Sequence, residues 1–284
     1  MDFASFVYRQ LTFKPQPIPA SIDLSGKTAI VTGANGGLGF EAARELVRHK
    51  LGRLIVAVRD IEKGEAAKAK LECKSACAIE VWELDMSDFA SVSAFGKRAA
   101  ALDRLDIAIL NAGVQKTEYT RAKNGHEIQL QVNYLATALL SLLLQPVLLA
   151  TTKQSTQPSR LTIVTSEMGM WTPFKQRSAP NLFQELDKKD GFGMDNYSVS
   201  KLLQVLWTKE LASKIQSREL IINTVNPGYC SSSLQRDHDN FGFRMMRHIC
   251  GWTAAQGGHC LADAAVVKQD ETHGKYLSEQ KLTR

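Results

Sequence analysis

The stretch Thr32-Gly33-Ala34-Asn35-Gly36-Gly37-Leu38-Gly39 constrains this chain more than any other. The apolar run Thr28-Ala29-Ile30-Val31 precedes it and reads as a short buried strand. Phe40 to Val47 follows with the apolar spacing of a helix. Strand, glycine turn and helix form the first half of a βαβ unit. The glycines let the backbone turn tightly and approach a pyrophosphate, which the free N–H groups and positive end of the new helix then face. Gly33, Asn35, Gly36, Gly37, Leu38 and Gly39 are the expected contacts. A glycine turn alone could be a structural connection only. However, a second β-type run, Leu54-Ile55-Val56-Ala57-Val58, ends 19 residues after Gly39, where a dinucleotide fold meets the adenosine ribose.

The alternation continues along the chain. Strands are expected over 28–32, 53–58, 78–84, 106–110, 160–165 and 220–225, with helices over 38–50, 61–73, 88–101, 125–150 and 195–217. Regular βα alternation predicts an α/β fold: a doubly wound parallel sheet with helices on both faces. Residues 1–26 read as a leader and residues 27–284 as a single domain. In the leader, Phe3, Phe6, Val7, Leu11 and Phe13 could line a short amphipathic helix, and Pro15, Pro17 and Pro19 then force an extended segment. The leader is expected to pack against the outside of the domain, with weak membrane-surface association as the less favoured alternative. Two long connections, 167–194 and 228–251, leave the carboxyl ends of strands, where such folds bind ligands. Their aromatic and Met residues suggest a lipophilic pocket, and their glycines and charges a mobile lid.

Composition excludes several classes. The apolar run Tyr134–Ala150 is 17 residues long and broken by Gln145 and Pro146, whereas a membrane span needs about 20; a buried helix and no membrane span are expected. Net charge is +6, but the basic residues are dispersed among acids, so no nucleic-acid partner is expected. Five cysteines without metal-type pairing predict neither a metal site nor a disulfide framework and fit a reducing, cytoplasmic location.

Strand ends carry the remaining candidates. Asp85, followed by Met86, closes the third strand, where a carboxylate can meet an adenine amino group; Ser87 is the better candidate for capping the next helix. Asn111-Ala112-Gly113 closes the fourth, small enough for a cofactor to lie across it, with Asn111 bracing the backbone. Asn133 is a polar residue entering an apolar helix, and a buried amide must find partners. Ser166 ends the fifth strand. Tyr197-Ser198-Val199-Ser200-Lys201 places a phenol and an ammonium on one helix face. Their reference pKa values are about 10 and about 10.4, and a nearby positive charge is expected to draw the phenol toward neutral pH. Asn226-Pro227-Gly228 offers a fixed turn suited to a nicotinamide amide, with Ser232 following. At the end of the second strand stands Val58 rather than an acid, and then Arg59, which suits a ribose 2′-phosphate. This predicts NADP(H), although Asp60 lies close enough to weaken the contact.

This constellation resembles the classical short-chain dehydrogenase/reductase family, whose Thr-Gly-x-x-x-Gly-x-Gly loop, Asn-Ala-Gly signature and Asn-Ser-Tyr-Lys tetrad match Thr32–Gly39, Asn111–Gly113 and Asn133, Ser166, Tyr197, Lys201. Val58-Arg59-Asp60 with Lys63-Gly64, and His273–Leu277, look like its retinol-dehydrogenase-like branch, and the leader looks like fungal members acting in secondary metabolism. The sequence departs from the family pattern at Ala136, at Thr165-Ser166 and at Cys230-Ser231, which bear on substrate shape. The resemblance implies a Rossmann-type fold and an NADP(H)-dependent oxidoreductase acting on a lipophilic ketone or alcohol, assembled as a homo-oligomer. Tyr197 would protonate the carbonyl oxygen, Ser166 would hydrogen-bond it, Lys201 would hold the nicotinamide ribose, and Asn133 would anchor a water linking Lys201 to solvent. A dehydratase or epimerase on the same tetrad, or a non-catalytic NADP(H)-binding regulator, remain as alternatives.

Overall fold

In the computed structural model the backbone is described for residues 3–72, 76–231, 234 and 241–283. The glycine loop joins β1 (Thr28–Thr32) to α2 (Gly37–Arg48), and α1 (Phe3–Thr12) precedes both. The chain then runs β2 (Arg53–Val58), α3 (Ile61–Glu72), β3 (Ala78–Glu83), α4 (Phe89–Ala100) and β4 (Ile107–Leu110). A wide π turn, Leu130–Leu135, leads into α5 (Ala136–Lys153), followed by β5 (Ser159–Val164), α6 (Met168–Trp171), α7 (Leu182–Leu186), α8 (Met194–Ser213) and β6 (Leu220–Asn226). It closes with α9 (Phe241–Cys250), α10 (Ala254–Ala262), β7 (Tyr276–Ser278) and β8 (Lys281–Leu282). The sheet order is β3-β2-β1-β4-β5-β6-β7-β8. All pairings are parallel except β7 with β8.

Side chains alternate across the sheet with period two. Ala29, Val31, Leu54, Val56, Ile107 and Ile109 bury into one core. Ile30, Ile55, Ala57, Ala108 and Leu110 bury into the other, against Leu140, Leu144 and Leu148 of α5. Both faces are covered, which is why the strands read as continuous apolar runs. By length and composition Leu130–Lys153 could cross a membrane, but one face of it builds this second core.

Between β1 and β4 the strand order reverses, so β1 pairs with both β2 and β4. In open α/β sheets ligands bind at such a reversal, at the carboxyl ends of the strands, and here the glycine loop stands beside it. The sequence reading did not foresee α10, which crosses α2 closely at Gly257 and Gly258; a Cβ at Gly258 would stand 2.5 Å from the Cβ of Glu41. Nor did it foresee β7 and β8, of three and two residues, too short to leave a periodicity. The connection 167–194 contains α6, α7 and a turn of 3-10 helix at Lys175–Ser178. Asp187 pins it to the segment before α5, its carboxylate accepting from Glu127 N at 2.8 Å and pairing with His126 at 2.7 Å.

Candidate active site

The glycine loop is braced from β4. Asn111 Nδ2 donates to the Thr32 carbonyl at 2.9 Å, and Thr32 Oγ1 accepts from the backbone nitrogens of Asn111 and Ala112, each at 2.9 Å. Gly33 adopts φ +67°, a conformation that disfavours side chains. A Cβ at Gly39 would lie 2.5 Å from Asn111 Nδ2 and 2.7 Å from the Gly33 carbonyl oxygen, so the close brace excludes one. A Cβ at Gly36 would meet nothing within 4 Å. The loop is therefore tight toward the protein and open over the N-terminus of α2, the shape a pyrophosphate requires.

Along the crevice, Asp85 accepts from Ser87 N at 2.9 Å and Ser87 Oγ at 2.7 Å. Ser87 is not the cap of the next helix as expected: Asp88 caps α4, accepting from Ala90 N at 2.9 Å. Met86 is buried just behind. Arg59 is exposed at the end of β2. The neighbouring Asp60 accepts from Lys63 N at 3.1 Å and pairs with Lys63 Nζ at 2.7 Å at the start of α3, so its charge already has a partner.

Asn133, Ser166, Tyr197 and Lys201 converge beyond the ends of β4 and β5. Ser166 stands close enough to the Tyr197 hydroxyl to favour its ionised form, and its own Oγ accepts from Met168 N at 3.3 Å. Lys201 is one helical turn beyond Tyr197 on α8, with its Nζ 5.7 Å from the Tyr197 ring centroid and donating to the Val164 carbonyl at 3.0 Å. Thr165 Oγ1 fastens the helix to β5 by donating to the Lys201 carbonyl at 2.8 Å. Asn133 lies in the π turn, whose extra residue re-aims its side chain. Its Oδ1 accepts from Val114 N at 2.8 Å, and its Nδ2 donates to the Val114 carbonyl and Ser200 Oγ, both at 2.9 Å. Gln204 Nε2 donates to the Asn133 carbonyl at 2.6 Å. Asn133 thus ties α8 to the backbone just after Gly113. The implied water anchor gains no support from these bonds, which make Asn133 a brace.

The electrostatics correct one expectation. Burial pushes the Tyr197 phenol up to about 12, against a smaller opposing effect of Ser166 beside it. Burial also lowers the Lys201 ammonium to about 7. The sequence suggested that Lys201 would draw Tyr197 toward neutrality. With both groups desolvated, each favours its uncharged form.

A family model described as short chain dehydrogenase matches residues 27–176. The relative named "Short chain dehydrogenase sol3", from Alternaria solani, is 50% identical over 281 residues, 98% of each chain. This chain belongs to the short-chain dehydrogenase family. "Short-chain dehydrogenase fogG" of Aspergillus ruber is 40% identical over 292 residues, 97% of this chain and 83% of that one. Among solved structures, a short-chain dehydrogenase from Sphingobium yanoikuyae in complex with NADPH shares the fold, with TM-score 0.67 and 21% identity over 89% of this chain and 86% of that one. The chain is thus an oxidoreductase of the short-chain dehydrogenase type.

In this dehydrogenase Pro227 and Gly228 follow β6, with Gly228 at φ +78° and its nitrogen bonded to Asn226 Oδ1 at 3.2 Å. Ser232 lies outside the described residues, as do the side chains of Phe241 and Phe243. Burial pushes the Cys230 thiol up to about 12, so it stands beside the turn as an inert, uncharged group. Sequence reasoning missed the partners that the leader brings: Arg9 and Gln10 reach Glu167, Tyr229 and Glu279. The leader does pack on the domain, just beyond the ends of β5, β6 and β7.

Proposed function

We propose that this dehydrogenase transfers a hydride between NADP(H) and a lipophilic ketone or alcohol, working as a carbonyl reductase in secondary metabolism. The observation that carries the reading is the buried Tyr197 with Lys201 one helical turn away, its Nζ 5.7 Å from the Tyr197 ring, beside Ser166 and Gly113 beyond the ends of β4 and β5. The glycine loop fits the pyrophosphate by its open side at Gly36, Asp85 and Met86 would border the adenine, and Asn111, Ala112 and Gly113 would floor the cleft. Arg59 would hold the 2′-phosphate, supporting NADP(H) over NAD(H). Pro227, Gly228 and Ser232 would border the nicotinamide. Bound NADPH supplies the hydride.

The protein's part is proton supply and positioning. Tyr197, held protonated through neutral pH by its burial, donates its proton to the substrate oxygen as charge develops there. Ser166 donates a hydrogen bond to the same oxygen. The resulting phenolate faces Lys201, whose ammonium form it stabilises. Asn133 keeps α8 in register with the cleft floor. The secondary-metabolism setting and a homo-oligomeric assembly rest on resemblance to fungal members of the family, and the lipophilic substrate on the apolar residues of the long connections.

A panel of lipophilic ketones assayed for NADPH consumption, with NADH as comparison, tests the reading. Substrate-dependent oxidation of NADPH is expected. Substrate conversion by loss of water without net cofactor change would indicate a dehydratase, and NADPH binding without turnover on any substrate would indicate a regulator.

A further inference from the structure

We propose that the N-terminal helix α1 is a positioning element of the active site, with Gln10 setting the Pro227-Gly228-Tyr229 turn against which the nicotinamide half of the cofactor lies. The inference rests on the assignment of that turn under the proposed function.

Gln10 is buried, 4% exposed, and both its amide oxygen and its two amide hydrogens are engaged. Oε1 accepts from Tyr229 N at 3.0 Å, while Nε2 donates to the Tyr229 carbonyl at 3.1 Å and the Cys250 carbonyl at 2.8 Å. A primary amide that both donates to and accepts from one residue's backbone adds a second hold to Tyr229, whose carbonyl also accepts from Trp252 N at 2.9 Å in an isolated parallel bridge. A carboxylate could accept but not donate, and an asparagine is one methylene too short. From the other side, Trp252 Nε1 donates to the Gln10 carbonyl at 2.9 Å. The approach is close: a Cβ at Gly228 would stand 2.6 Å from Gln10 Oε1 and 2.6 Å from Trp252 Cζ3. The turn is thus clamped between α1 and the Trp252 ring.

Arg9 sets the helix in place. Its guanidinium binds Glu167 Oε1 at 2.5 Å and Glu279 Oε2 at 3.1 Å, two carboxylates whose side chains are 4% and 1% exposed. Glu167 directly follows Ser166, and Glu279 follows β7. Phe6 adds an edge contact to Trp171, with centroids 5.4 Å apart. One short helix therefore touches the chain just beyond β5, β6 and β7, the three strands that bound the nicotinamide side. The glycine loop and Asp85, which serve the adenosine side, receive no contact from Arg9 or Gln10.

That asymmetry supplies the test. Equilibrium binding of NADPH and of adenosine 2′,5′-bisphosphate, which carries only the adenosine half, is measured on the full chain for wild type, Gln10→Glu and Gln10→Ala. NADPH affinity should fall about tenfold or more, as expected for lost buried hydrogen bonds, while the bisphosphate affinity stays at its wild-type value. Trp252→Phe removes the indole N–H that bonds Gln10, together with the five-membered ring, and leaves a six-membered ring beside the turn, so it carries the test if both Gln10 variants fail to fold; a smaller fall confined to NADPH is expected. Equal losses for both ligands, or none for either, would overturn the inference and leave the proposed function standing. A wild-type chain that binds neither ligand would overturn the proposed function and this inference with it.

Discussion

Lys201 Nζ donates to the carbonyl oxygen of Val164 across 3.0 Å. The bond fixes a buried lysine at the end of β5, and that burial ties the protein's stability to pH. Burial lowers the folded-state pKa of Lys201 to about 7 from an ordinary value of 10.5. Below that pH the folded protein bears the cost of a desolvated charge. Between the two values the unfolded chain binds the proton and the folded protein does not, so stability rises with pH. Lys201→Met should therefore be more stable than wild type near pH 6, and its advantage should shrink as pH is raised toward 10. Urea denaturation at several pH values reads the gap. A gap independent of pH would contradict the account.

Tyr197→Phe removes one oxygen and keeps the ring. Turnover on a substrate that the wild type reduces should fall by about 10²–10⁴-fold, the usual value of a positioned general acid, while NADPH affinity changes little because Lys201 remains. Lys201→Ala should lower both. Near wild-type turnover in Tyr197→Phe would place the acid elsewhere.

Arg59→Ala should reduce the preference for NADPH over NADH by about 10- to 150-fold, the worth of one charge-assisted hydrogen bond. Asp60 is already paired with Lys63 at 2.7 Å, so Asp60→Asn should alter the preference far less. Titration of both cofactors against each variant decides; an unchanged ratio in Arg59→Ala would assign the phosphate to another cation.

Two glycines of one loop should behave differently. Gly39→Ala would drive a methyl into Asn111 Nδ2 and the Gly33 carbonyl, at 2.5 and 2.7 Å, and should cost about 1–3 kcal/mol of stability. Gly36→Ala meets no protein atom within 4 Å and should cost under about 1 kcal/mol as a helix N-cap change. It should nonetheless weaken NADPH binding, because its methyl enters the open side. Thermal unfolding and cofactor titration separate the two effects.

Much of this site is legible because its signals are local. The β1–loop–α2 unit is continuous in sequence, and Tyr197 and Lys201 meet through helix geometry alone. The strands 28–32 and 53–58 match the observed β1 and β2 because a strand buried on both faces is an unbroken apolar run. What stayed hidden depends on distant packing. Gln10 finds partners 219 and 240 residues away, and nothing in FVYRQLT distinguishes it from a solvated glutamine. The direction of the Tyr197 shift was hidden likewise, since desolvation sums over every group that walls the site. Asp88 displaced Ser87 as the cap of α4 because both are good caps and only backbone geometry chooses between them.

The contact between Arg9 and Glu279 closes a loop of nearly the whole chain, with a separation of 270 residues, and Gln16 and Gln280 pair beside it through both backbone groups of Gln16. Phe6 meets Trp171 and Gln10 meets Tyr229 and Cys250, all made before β7, whereas the pair of Arg9 with Glu279 requires the residue that follows β7. During synthesis α1 therefore gains its anchors in stages, and the last of them closes only when β7 has been made and added to the sheet. A chain stopped before that point can hold a formed glycine loop under a helix that lacks one of its two ion pairs.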